Sequence, residues 1–301
     1  MSHAEAAANG VTQPLFTSWP LDPWVAAPLA LAAGLYVCGW LRLHSQVPQR
    51  CGAGRLAAFL GGLAAIAVAL GSPLHALGAQ LLQAHMLQHL LLMMVAPPLL
   101  WLGAPLLPLL QGLPRGILRT CIGPLFAWPV LTHVCQWLVH PPVAWVVYVG
   151  GTWAWHTPAL YERALASEFW HEVQHVCFLV TALAFWWPVV QPWPSRPQLS
   201  SWGIVLYLVL ADLQNTVLCA WLVFAERLIY PSYAAAPRLW GISALDDQAA
   251  AGALMWVPGS VAFLLPVAWR VGRMLSPHKA SRRALRPPRR GHRQREMPPQ
   301  R

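Results

Sequence analysis

The sequence predicts an all-α membrane protein, a polytopic bundle of about seven transmembrane helices with the N-terminus outside and the C-terminus in the cytoplasm. Three observations carry that prediction. Of 301 residues, 57% are hydrophobic and only 10% are charged, against about 25% charged in a soluble domain. The apolar residues gather in runs long enough to approach the roughly 20 residues that cross a bilayer as helix. The Lys and Arg residues between the runs concentrate in alternate loops, as the positive-inside bias requires; only Arg163, Arg227 and Arg238 fall on the other side, among Glu162, Glu168, Glu226, Asp246 and Asp247.

In chain order, residues 1–23 form a short periplasmic lead with three prolines. Span 1 covers 24–41 and is followed by Arg42, Arg50 and Arg55 in a loop. Span 2, about 56–74, is rich in Gly and Ala, which permits close helix packing; His75 lies at its far end. Span 3 covers 84–102. Residues 103–141 are broken by Pro105, Pro108 and Pro114 and are read as an interfacial or cytoplasmic segment, although 122–139 is apolar enough to compete as a span. Span 4 is 142–157, only about 24 Å at 1.5 Å per residue. Spans 5, 6 and 7 cover 171–190, 202–224 and 249–269. The transmembrane domain thus runs over 24–270, and 271–301 forms a basic, disordered cytoplasmic tail.

Charge decides between seven spans and eight. With eight, the tail and the Arg42–Arg55 loop fall on opposite faces. With seven, Arg42–Arg55, Arg115 and Arg119, Arg196 and the tail all lie inside. The net charge of +10 is a property of that tail, where Lys279 and eight arginines between Arg282 and Arg301 face only Glu296. A basic run after a membrane helix is a topology signal that touches anionic lipid, and no nucleic-acid partner is expected. The six cysteines have no paired spacing, so no disulfide framework is expected. The absence of a basic stretch before the first apolar run predicts no cleavable signal peptide.

The same topology gathers histidines. His85 and His89 stand at i and i+4 in span 3, and His171 and His175 repeat the spacing in span 5; such pairs share a helix face. His75 and His156 end spans 2 and 4 at the same outer level. Six of the twelve histidines thus form one layer, with Met86 beside the first pair, and with Asp247 and Met255 on span 7. Polar groups in membrane helices are costly and mark functional sites. Imidazole is the commonest metal ligand, and imidazole with thioether suits Cu(I). The residues alone leave open that these are histidines capping helix ends.

Two other chemistries fit parts of the pattern. His171-Glu172-Val-Gln-His175 matches the HExxH of zinc proteases, in which the Glu is the general base. A hydrolase also needs a third protein ligand; Glu162 lies in a loop and Asp212 near mid-membrane, so neither serves. Paired histidines on two helices could also grip a haem axially, although i,i+4 pairs at one depth suit this poorly. Asp212, Gln214 and Asn215 in span 6 form a second polar group, either a helix–helix clamp or a path for an ion or proton. Met93, Met94 and the tryptophans read as packing and interfacial anchors.

Five ordered blocks carry a resemblance: His85-Met-Leu-Gln-His89 running to Ala96-Pro97-Pro98 and Gly103-Ala-Pro105; Trp155-His156-Thr-Pro158-Ala-Leu-Tyr161; His171-Glu-Val-Gln-His175 leading to Phe185-Trp-Trp-Pro188; Tyr230-Pro-Ser-Tyr233; and Asp246-Asp247-Gln248 with Gly252 and Met255-Trp256. In this order, over roughly residues 20–270, the chain resembles the multi-span CtaG family of cytochrome c oxidase assembly factors. The segment before Pro141 departs from the family in being more apolar. The resemblance implies a multi-pass protein of the bacterial plasma membrane that helps mature a haem–copper oxidase at copper insertion. The expected site is copper, as Cu(I), on His85, His89, His171, His175 and His156. His75, Met86 and Met255 are additional ligands, and Glu172 and Asp247 orient imidazoles. Zinc and haem are the lesser alternatives. The expected partners are oxidase subunits or a soluble copper carrier. Such transfer needs no turnover chemistry, so no enzyme is expected.

Overall fold

The computed structural model describes residues 22–276 and, among them, every regular element is helical. Six helices are long and apolar enough to cross a membrane: Pro23–Gln46 (α1), Ala53–Gly71 (α2), Leu82–Leu102 (α3), Glu168–Val190 (α5), Ser201–Val223 (α6) and Ala244–Leu275 (α7). Between α3 and α5 lies Pro141–His156 (α4), the helix expected as span 4. At 16 residues it is too short to count with the six. The predicted lead up to residue 21 and the tail from residue 277 lie outside the described residues.

Residues 103–141, expected as an interfacial or cytoplasmic segment, are not irregular. They are helical: Leu106–Gly112, then Arg115–Ala127 and Pro129–Leu138, the last two bent by 68° at Trp128. Taken as one broken span, that pair raises the count to seven. No residue of the pair is buried. The bend has a local cause, because Pro129 disfavours helical conformation at the residue before it and Trp128 is extended there. Leu106–Gly112, by contrast, packs tightly on α1. A Cβ on Gly39 would strike the Pro108 carbonyl and one on Gly112 the Leu35 carbonyl, so the two backbones touch as small residues allow in membrane helices. Arg42 Nη1 donates to the Gln111 carbonyl at the same crossing.

Sequence sets the helix ends. α4 opens with Pro141-Pro142, tolerated where backbone N–H groups have no helical partner, and stops at Thr157 because Pro158 follows. Ser243 caps α7 by accepting from Asp246 N at 3.1 Å. α6 lies along α7, α4 against α5, and α2 against the second half of α3. The core between α3, α4, α5 and α6 is aromatic, with Tyr148, Phe185 and Tyr207 stacked and Phe263 at the edge. α3, α4 and α5 carry His85, His89, His156, His171 and His175 to one end of the bundle.

Candidate metal centre

α3 is broken into Leu82–Leu90, a π-helical turn Leu91–Val95, and Ala96–Leu102. Its first turn has no cap of its own, since Leu81 offers no side-chain acceptor. Asp247, from α7, supplies the cap. Its two carboxylate oxygens accept from Leu82 N at 2.7 Å and Gln83 N at 3.2 Å, where a negative charge also meets the positive end of the helix dipole. The turn so held carries His85, Gln88 and His89, all buried. Gln88 donates to the Ala69 carbonyl at 2.7 Å and lies 3.5 Å from His75 Nδ1, which fixes α3 against α2.

The two i,i+4 pairs meet. Ring centroids are 4.3 Å apart for His85–His89 and 4.2 Å for His171–His175, and across the helices 5.0 Å for His85–His171 and 5.6 Å for His89–His175. His75 stands 5.3 Å from His171 on one side, and His156 6.1 Å from His89 on the other. All six imidazoles of the expected layer therefore form one cluster. His85, His89 and His175 are its centre: each offers a ring nitrogen, and these atoms lie within 4.8 Å of one another. Three nitrogens on one ion at 2.0–2.1 Å would be about 3.5 Å apart, so the trio closes on an ion by side-chain shifts of about 1 Å.

These imidazoles are also unsatisfied. His85 is 1% and His89 2% exposed. The buried Gln174 side chain lies against His85, yet neither nitrogen of either ring makes a hydrogen bond of normal geometry, and Nε2 of His156, His171 and His175 makes none either. Leaving a buried donor or acceptor unpaired costs about 1–3 kcal/mol. His156 shows the direction of the lone pair. Its Nδ1 lies 2.7 Å from the Thr152 carbonyl, which can only accept. Nδ1 therefore carries the proton and Nε2 presents its lone pair inward. A cleft of about 470 Å³ reaches the cluster from the end of the bundle, lined by His75, His171 and His175 with Asp22, Glu168 and Glu172.

Three tyrosines to which the sequence assigned no role close the same end. Tyr161 stacks on Tyr230 at 3.9 Å and lies 5.1 Å from His85. The Tyr233 hydroxyl donates to the Gly78 carbonyl at 2.9 Å, so the Tyr161 hydroxyl, 3.2 Å away, donates to it. Tyr230 donates to the His156 carbonyl at 2.9 Å. Burial pushes all three hydroxyls above the ordinary phenol range, so they remain neutral donors. Gln248 ties the loop after α6 to α7, accepting from Ile229 N at 2.7 Å. The signal that could have found the tyrosines is their concentration. Three of six in the chain fall in the two loops beside the histidines.

Several predicted residues take other places. Met86, one step from His85, turns away into the apolar cluster of Leu82, Leu218, Leu222 and Tyr230. Consecutive residues point about 100° apart on a helix. Asp247 binds backbone, not imidazole, so it positions the histidines through the helix they stand on. Glu172 is exposed at the rim of the cleft and makes no hydrogen bond to a histidine. Met255 lies beneath His89 beside Met93 and Met94. In α6, Gln214 accepts from Trp153 Nε1 at 3.0 Å and Asn215 lies 3.5 Å from the Met255 carbonyl, which makes them a helix–helix clamp. Asp212, half-buried, leaves Oδ1 without a partner.

Comparison with known proteins gives the family. The family described as cytochrome c oxidase caa3 assembly factor (Caa3_CtaG) matches residues 34–276. An uncharacterised protein of Mycobacterium leprae is 26% identical over 246 residues, covering 80% of this chain and 37% of its own. One from Mycobacterium bovis is 30% identical over 192 residues, covering 60% of this chain and 28% of its own. The chain thus spans about a third of the length of these relatives. No solved structure matches.

Proposed function

The chain belongs to the cytochrome c oxidase caa3 assembly factor family, and from that premise we propose that it is a copper-handling assembly factor of the bacterial plasma membrane. In this reading the histidine end faces the periplasm and the tail lies in the cytoplasm, following the distribution of Lys and Arg. Copper is cargo. Cu(I), brought by a soluble carrier or taken from the periplasm, passes the cleft at His75 and His171, rests on His85, His89 and His175 with His156 adjoining, and leaves to a subunit of a haem–copper oxidase by exchange of ligands. No covalent bond is made or broken, so the role is not enzymatic.

One observation carries the reading: the buried imidazoles of His85 and His89 on α3 and His175 on α5, with unpaired nitrogens that lie within 4.8 Å of one another. A protein holding histidines only for packing would gain by pairing them. Neutral nitrogen donors in an apolar shell favour Cu(I) over the divalent ions that prefer carboxylates. The protease reading is disfavoured by Glu172, which is exposed rather than poised over the trio. A haem is disfavoured because the paired histidines stand at i and i+4 of single helices at one depth, which suits two axial ligands on opposed faces of a porphyrin poorly.

The test is the metal content of detergent-purified protein grown with copper, wild type beside His85→Ala/His89→Ala and His171→Ala/His175→Ala, with an absorption spectrum of each. Copper in the wild type and its loss from both double variants is the expected result. A Soret band, or no metal in a folded wild type under reducing conditions, would overturn it.

A further inference from the structure

Below the trio, on the side away from the cleft, lies the internal cavity of about 20 Å³ lined by His89, Met93, Met94, Tyr148, Thr152 and Met255. About 10–15 Å³ of such space admits one water-sized species. Three of the chain's seven methionines meet here, and their convergence has a backbone cause. Met93 and Met94 stand in the turn from Leu91 to Val95, which is π-helical, with Ala96 N donating to Leu91 O. Pro97 and Pro98 supply no N–H to the carbonyls four residues back, Met93 and Met94. The Met93 carbonyl is satisfied instead by Trp186 Nε1 at 2.9 Å. The widened turn leaves both thioethers buried, and such turns are frequent at functional sites. Methionine is ordinarily a filler of irregular core gaps. Here flexible side chains that could close a gap leave it open, beside an imidazole with neither nitrogen paired.

We propose that this cavity is a second, inner station for a soft monovalent cation, held by the thioethers of Met93, Met94 and Met255, and that His89 stands between the two stations. The proposal rests on the copper-handling reading above. Soft uncharged sulfur donors select Cu(I), while a hard divalent ion would lose its water there without a carboxylate to replace it. A neutral imidazole has one lone pair, so His89 serves one station at a time and hands the ion on by changing partner, with no change in oxidation state. The Tyr148 hydroxyl, directed at the Met94 sulfur at 3.9 Å, orients one thioether and leaves it a second lone pair.

The test uses Ag(I), a redox-inert probe of Cu(I) sites, on the full chain in detergent, read by X-ray absorption. Silver–sulfur scattering is expected in the wild type, persisting in His85→Ala/His175→Ala and absent from Met93→Leu/Met94→Leu/Met255→Leu. Leu and Met differ little in volume. Should the triple variant not fold, Met255→Leu alone is expected to remove about a third of the sulfur signal from the three-thioether site. Nitrogen-only scattering from the wild type would overturn the inner station and leave the histidine site standing. Silver retained nowhere in a folded wild type would overturn both.

Discussion

The bundle buries two groups of polar side chains and treats them oppositely. In α6, Gln214 and Asn215 reach partners on neighbouring helices. At the end of α3 and α5, His85, His89 and His175 are buried, more deeply than the half-buried Gln214, and leave nitrogens unpaired. Paired polar groups in a membrane bundle hold helices together. Unpaired ones weigh against the fold, and they are what the proposed copper site rests on. The contrast separates a clamp from a site more clearly than hydropathy, which scores both groups alike.

The contrast can be broken first at the histidines. His85→Leu and His89→Leu should abolish copper retention while making the metal-free protein more stable by about 1–3 kcal/mol each, the cost of an unpaired buried polar group. Thermal unfolding in chelator checks this, and a fall in stability would mean that the imidazoles serve the fold. Next comes Asp247→Ala. Removing the cap should cost about 0.5–2 kcal/mol and weaken copper binding without touching a ligand; copper affinity unchanged in a folded variant would detach the cap from the site. Third, Gln214→Leu should lower stability by about 0.6 kcal/mol, the average for a hydrogen bond between membrane helices, with copper content as in the wild type. Finally, Glu172→Gln should alter neither copper content nor oxidase maturation in cells. Loss of maturation with metal retained would revive the protease reading.

Helix positions were legible because apolar runs and charge alternation are local. The histidine cluster was legible because i,i+4 spacing fixes a shared face, and loop charge places four helix ends at one level. Contacts between distant parts of the chain were not. Nothing near Leu82 announces that its cap is Asp247, 165 residues away. Met86 reads as part of the histidine stripe, and only the packing of α6 and α7 against α3 assigns it to the apolar side. The segment before Pro141 is interrupted by Pro105, Pro108 and Pro114, but prolines at first turns start helices as readily as they end them.

The π turn in α3 has a consequence for how such chains can vary in length. It amounts to one surplus residue within an otherwise α-helical rod. A homologue lacking one residue between positions 91 and 95 would regain regular geometry and keep every neighbouring letter. Because the wide turn absorbs that residue, with Ala96 N reaching back to Leu91 O, the half bearing His85 and His89 would keep its face relative to the half anchored by Pro97 and Pro98. What would change is the turn itself, where Met93 and Met94 stand. Within this lineage, the length of that five-residue turn should be as constrained as the identity of the two methionines it carries.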